Sequence, residues 1–181
     1  PASEYEILRR AKELIGLTIA EVILRSPVPS RTIDPNNKGA IGNIIEECWF
    51  GIKNNPSPDP DFVNVGIELK IIPLEKISSG LSVKERTKVC SIDYFKLITE
   101  SWKTSHARRK LDKILFIYYH YDSADQGRSK IAHYDLWRLI DQDENIISAD
   151  WKNVLKVVQD GKAHTLSERL SRVLAASRTG S

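Results

Sequence analysis

Asp61-Phe62-Val63-Asn64-Val65-Gly66-Ile67-Glu68-Leu69-Lys70-Ile71 is the stretch whose periodicity decides the fold. Val65, Ile67, Leu69 and Ile71 alternate with Gly66, Glu68 and Lys70. Successive side chains on a strand point to opposite faces, so this pattern predicts a half-buried β-strand with its apolar face on a core. The residues just before it, Asn54-Asn55-Pro56-Ser57-Pro58-Asp59-Pro60-Asp61, read as a rigid, turn-rich loop.

Upstream the period is helical. Ser3-Glu4-Tyr5-Glu6 has the form of a capping box, and Ile7, Ala11, Leu14 and Ile15 follow at helical spacing. Thr18-Ile19-Ala20-Glu21 is a second cap, for a short helix ending near Arg25. Pro27, Pro29 and Pro35 mark a loop, and Ile41, Ile44, Ile45 and Cys48 predict a helix from Gly39 to Trp49. Downstream, strands are expected at Thr87 to Ile92, Lys113 to Tyr121 and Ile131 to Leu139. A basic helix is expected at Ser105 to Leu111. Two more, at Ser148 to Asp160 and Thr165 to Ala176, are separated by Gly161. The sum is an α/β chain, a central mixed sheet flanked by helices.

Composition narrows the class. At 181 residues the chain can bury a real core and is expected to form one domain, residues 1–181. No apolar run approaches the ~20 residues of a membrane span, so no membrane partner is expected. No secretory leader is evident. The chain holds no Met, even at residue 1, and Arg178-Thr179-Gly180-Ser181 gives no stop, so a piece of a longer protein is expected. Cys48 and Cys90 each sit in an apolar run and read as buried thiols of a cytoplasmic protein. Two Cys and four scattered His offer no zinc spacing. A net charge of +3 permits nucleic-acid binding without demanding it. The free state is expected to be monomeric.

The chemistry lies in Asp61 to Lys70. Glu68 and Lys70 share one face of a strand whose other face is anchored in the core. Asp61, in the loop feeding the strand, can curl back beside Glu68. Two carboxylates brought together repel each other, and a hard divalent cation such as magnesium relieves that repulsion. Lys70 could orient an attacking water or neutralise a pentavalent phosphorus. Asp, then Glu-x-Lys on a strand, therefore suits phosphodiester hydrolysis. The plain alternative is a solvated ion pair worth under ~1 kcal/mol. Glu46 and Glu47 lie on the preceding helix. Glu46, near Gly42, is the one placed to add a third metal ligand, whereas Glu47 reads as a surface acid.

Lys38-Gly39-Ala40-Ile41-Gly42-Asn43-Ile44-Ile45-Glu46, Asp61-Phe62, Gly66-Ile67-Glu68-Leu69-Lys70, Thr104 to Leu111 and Asp150-Trp151 to Gly161 together resemble the MutH family of DNA endonucleases. That family includes a mismatch-repair strand-nicking enzyme and type II restriction enzymes cutting GATC. The resemblance implies a restriction-endonuclease-like fold and a Mg²⁺-dependent enzyme acting on double-stranded DNA. It implies Glu46, Asp61 and Glu68 as metal carboxylates, Lys70 as the catalytic lysine and Lys110 as a lysine near the active site. It implies Lys38 on a DNA-facing loop. Gly161 to Glu168 looks more like the restriction branch, so a type II restriction endonuclease is the first expectation. Methyl-directed mismatch-repair nicking and a non-cleaving DNA-binding module are the alternatives. In the family a further C-terminal segment reads bases, and restriction relatives add a second domain, so both are expected beyond Ser181.

Lys103, Arg108, Arg109, Lys110 and Lys113 form the densest basic cluster, which reads either as phosphate contacts in a DNA cleft or as a solvated face. Arg108 and Lys110 are the expected DNA contacts. His106 reads as a structural histidine. Trp49, Trp102, Trp137 and Trp151 read as core, and at most one of Tyr118 and Tyr119 can be exposed.

Overall fold

The computed structural model describes residues 3–27, 39–53 and 57–177. Lys38 and most of the proline loop before it lie outside these, as does the start of the loop leading to Asp61. The chain divides into two compact units, Pro1–Thr87 with Lys113–Trp137, and Lys88–Asp112 with Arg138–Ser181.

The first unit carries the sheet. Helix α1 (Glu4–Leu14) starts where the Ser3 hydroxyl accepts the Glu6 amide hydrogen, and it buries Ile7, Ala11 and Leu14. Only half of the predicted box forms, because the Glu6 carboxylate turns to Arg9 instead. Helix α2 (Ile19–Leu24) has the complete box between Thr18 and Glu21. Helix α3 (Ala40–Ile44) runs directly into a wider π-helical turn, Ile45–Phe50, closed by Gly51 in the left-handed conformation. The predicted helix is thus present, with its second half unwound to the looser form that often marks functional sites.

Strand β1 (Ile67–Ile77) pairs antiparallel with β2 (Gly80–Val83) and parallel with β3 (Lys113–His120). With β4 (Lys130–Arg138) they form one mixed sheet in the order β2-β1-β3-β4. Ile67, Leu69, Leu115 and Ile117 join Ile7, Ile41, Ile44 and Ile45 in a single core cluster. Burial of this cluster is the main stabilising term, at roughly 25 cal/mol per Å² of apolar surface. A mixed sheet with helices packed on it agrees with the predicted α/β class. Two boundaries differ. Residues 87–92 are not a strand, because the β1 edge is taken by the short hairpin partner Gly80–Val83. β1 is also not half-buried at its start: Glu68, on the face opposite Ile67 and Leu69, is itself only 1% exposed, so both faces of the strand are covered there.

The second unit holds α4 (Tyr94–Leu97), α5 (His106–Leu111) and α6 (Asp141–Gln159). Helix α6 begins seven residues before the predicted start, with Asp141, Asp143 and Glu144 in its first turn complementing the helix dipole. Trp102 and Trp151 pack with ring centroids 6.0 Å apart. The helix predicted over Thr165 to Ala176 is absent. Residues Ala163–Thr165 and Glu168–Leu170 form only 3₁₀ turns. The buried Asp150 carboxylate accepts the amide hydrogens of Arg172, Val173 and Leu174, which a helix would need for its own ladder. Neither Cys48 nor Cys90 is in a disulfide; Cys48 is buried as read, whereas Cys90 is only half-buried.

Candidate active site

The loop before β1 is a tight hook. The Phe62 amide donates to the Ile67 carbonyl at 2.9 Å, Val63–Val65 makes a 3₁₀ turn, and Gly66 takes φ 66°, which a side chain would strain. This reversal carries Asp61 back along the strand. Its Oδ2 accepts the Leu69 amide hydrogen at 2.8 Å, so the loop aspartate is moored beside the residue between Glu68 and Lys70. The loop aspartate thus returns to the strand, where its partner is the Leu69 amide.

Glu68 and Lys70 share one face, as their spacing required. The Lys70 ammonium donates to Glu68 Oε1 at 2.6 Å, with side-chain exposures of 21% and 2%. A pair this withdrawn from water is unlike the exposed ion pair that was the plain alternative.

Glu46 approaches from the π-helical turn, where its carbonyl accepts from both Gly51 and Ile52. Its carboxyl group is pushed up to about 7, first by burial and next by the negative charge of Asp61. Lys70 opposes the shift, and Glu68 and Glu47 add to it. Glu46 therefore feels both predicted partner carboxylates and the lysine, which brings all four residues into one electrostatic neighbourhood. Hard oxygen donors crowded with negative charge are the chemistry that suits a divalent cation. They are not assembled into a closed cage: among the described residues, no three His, Cys, Asp or Glu side chains meet as a metal-holding group.

The basic cluster is mostly engaged internally. Arg108 donates from Nε to Glu144 and from Nη1 to Asp112, both at 2.8 Å, so the guanidinium expected to contact DNA already braces α5 to α6. Arg109 donates to the Thr104 carbonyl at 2.9 Å. Lys113 bonds Glu4 at 3.2 Å and the Val65 carbonyl at 3.0 Å. Lys103 is exposed, and Lys110 is half-buried on α5 of the second unit. Lys113 and Glu144 were not singled out for these roles. Their partners lie 109 and 36 residues away in sequence, a distance over which no local spacing carries a signal.

A family model described as "DNA mismatch repair enzyme MutH" matches residues 50–150, more than half of the chain. Among similar proteins, the DNA mismatch repair protein MutH of Salmonella typhi is 28% identical over 175 residues, covering 96% of this chain and 74% of its own length. Those of Salmonella newport (strain SL254) and Salmonella enteritidis PT4 (strain P125109) match with the same identity and coverage. Fold and match together define a DNA endonuclease on a restriction-endonuclease-like α/β scaffold. The matched span includes Asp61, Glu68, Lys70, Arg108 and Lys110. The chain belongs to the MutH family.

Proposed function

We propose that the chain is a Mg²⁺-dependent endonuclease that hydrolyses phosphodiester bonds of double-stranded DNA at GATC-type sites, leaving 5′-phosphates. The observation that supports it most is the Lys70–Glu68 pair at 2.6 Å, together with a Glu46 carboxyl raised first by burial and then by the charges of Asp61 and Glu68. Asp61, Glu68 and Glu46 would hold the cation. Magnesium is commonly held by one or two carboxylates completed by substrate phosphate, so a cage closed by the protein alone is not required. Bound there, it would lower the pKa of a coordinated water and offset charge on the phosphate. Lys70 orients the attacking water and faces the charge that grows on the non-bridging oxygens. The water oxygen bonds to phosphorus, the bond from phosphorus to the 3′ oxygen breaks, and a 3′-hydroxyl leaves. Lys110 and, by the family resemblance, Lys38 would contact the DNA backbone. The GATC target rests on the family resemblance.

Two biological roles fit this chemistry. The resemblance of Gly161 to Glu168 favours a type II restriction enzyme, whereas the mismatch repair proteins among the relatives favour a strand-nicking role. A supercoiled plasmid carrying one GATC site separates them: linear product supports restriction, and nicked circles alone support nicking. Absence of any cut in Mg²⁺, with binding retained in Ca²⁺, would mean a binding module and end the proposal. A cytoplasmic setting and a monomer in the free state are proposed. No helix among the described residues is long and apolar enough to cross a membrane.

A further inference from the structure

Lys113 opens β3 in register with Ile67, one residue before Glu68. Register partners in a parallel sheet point to the same face, so Lys113 lies on the Ile67 and Leu69 side, away from Glu68 and Lys70. There its ammonium donates to the Val65 carbonyl at 3.0 Å and pairs with Glu4 of α1 at 3.2 Å. Val65 ends the 3₁₀ turn of the hook that returns Asp61 to the Leu69 amide. One cation thus ties three elements together at the back of the hook: the N-terminus of α1, the start of β3 and the turn that carries Asp61. A phosphate contact at the proposed site would need this ammonium on the face of Glu68 and Lys70, where it does not lie.

We propose that Lys113 is a positioning residue for DNA cleavage, a latch that fixes the Val63–Val65 turn and, through it, the placement of Asp61 beside Glu68. Glu4 holds the latch in place. The inference rests on the reading of Asp61 and Glu68 as the reacting site. A carboxylate displaced by about an ångström can cost about a hundredfold in rate, and loss of outer-shell support typically costs 10–100-fold. The substrate surface itself is untouched.

The test compares Lys113→Met, Lys113→Arg, Glu4→Gln and Asp61→Asn in the full chain. Cleavage is followed in Mg²⁺, DNA binding in Ca²⁺ over a salt series, and Tm in parallel. Lys113→Met should lower kcat about 10–100-fold while Kd and its salt slope stay at wild-type values. Lys113→Arg should restore most of kcat, and Glu4→Gln should fall between. A merely structural role would lower Tm and leave kcat at native temperature unchanged, which overturns the proposal. A phosphate contact would raise Kd and reduce the salt slope by about one, which also overturns it. If Lys113→Met does not fold, native kcat in Glu4→Gln together with no rescue in Lys113→Arg overturns it. If Asp61→Asn cuts at the native rate, the site reading itself fails, an outcome distinct from failure of the latch.

Discussion

The Lys70 ammonium rests 2.6 Å from Glu68 Oε1, and the two side chains are two residues apart on one strand with only 21% and 2% of their surface exposed. Each is placed to tolerate the other's charge away from water. Removing one partner of such a pair is costly, because the survivor stays buried with its charge unmatched. Lys70→Ala should therefore lose stability on the order of 3 kcal/mol, in addition to losing cleavage by 10³-fold or more. The double variant Glu68→Gln with Lys70→Met removes both charges. It should regain most of the stability and none of the cleavage. Urea unfolding with a nicking assay on each variant checks this, and cleavage by the double variant at more than a trace would refute the assignment.

Glu46 makes the metal-free protein sensitive to pH. Its carboxyl titrates near 4.5 in the unfolded chain and is raised to about 7 in the fold, chiefly by burial and then by Asp61. The folded state thus holds the proton more tightly. Its stabilising contribution is complete below about pH 4.5 and is lost as pH climbs through about 7. In EDTA, wild type should lose on the order of 2 kcal/mol between pH 5 and pH 8 that Glu46→Gln does not lose. Parallel pH–stability curves for the two proteins would remove Glu46 from the carboxylate group.

What the sequence disclosed depended on how local the physics was. Glu68 and Lys70 were placed on one face because a strand's period of two leaves no other choice. The caps at Ser3 and Thr18 were legible because a cap is satisfied within three residues. The segment Thr165 to Ala176 looked helical on its own residues. Asp150, some 22 to 24 residues earlier, captures the amides such a helix would use. Leu81 and Val83 sit in a four-residue strand too short to be read by alternation, whereas the strand expected at Thr87 to Ile92 does not form. Arg108 and Lys113 looked like free cations because their acidic partners are distant in sequence.

Asp150 is 4% exposed and accepts from three successive backbone amides. Burial alone would raise its pKa, but the bonds from Val173, Arg172 and Leu174 overcome that and hold it below the usual aspartate value. Its contribution is present above the unfolded value of 3.8 and is lost as pH falls through the lower folded value. Asp150→Ala leaves three amide hydrogens without their acceptor, a loss of roughly 2–4 kcal/mol. Hydrogen exchange should show Arg172, Val173 and Leu174 deprotected first, while the β1 and β3 amides keep their protection. Unchanged exchange at those three amides would mean the carboxylate is not what holds them.

Arg108 and Lys110 lie two apart on α5, yet the bonds around Arg108 predict different behaviour for the two. The Arg108 guanidinium is neutralised by Asp112 and Glu144, and Glu144 also accepts the Trp102 indole hydrogen at 2.8 Å. A phosphate would have to displace two carboxylates to reach it. Arg108→Met should therefore cost about 1–3 kcal/mol of stability through the lost charge-assisted bonds, with the salt slope of DNA binding unchanged. Lys110→Met, if this lysine contacts phosphate, should reduce that slope by about one. Binding isotherms between 50 and 200 mM salt resolve a change of this size, because each phosphate contact shifts the dependence of log Kd on log salt by about 0.9. The reverse pattern, a flattened slope for Arg108→Met at native Tm, would show that the guanidinium leaves its carboxylates when DNA binds.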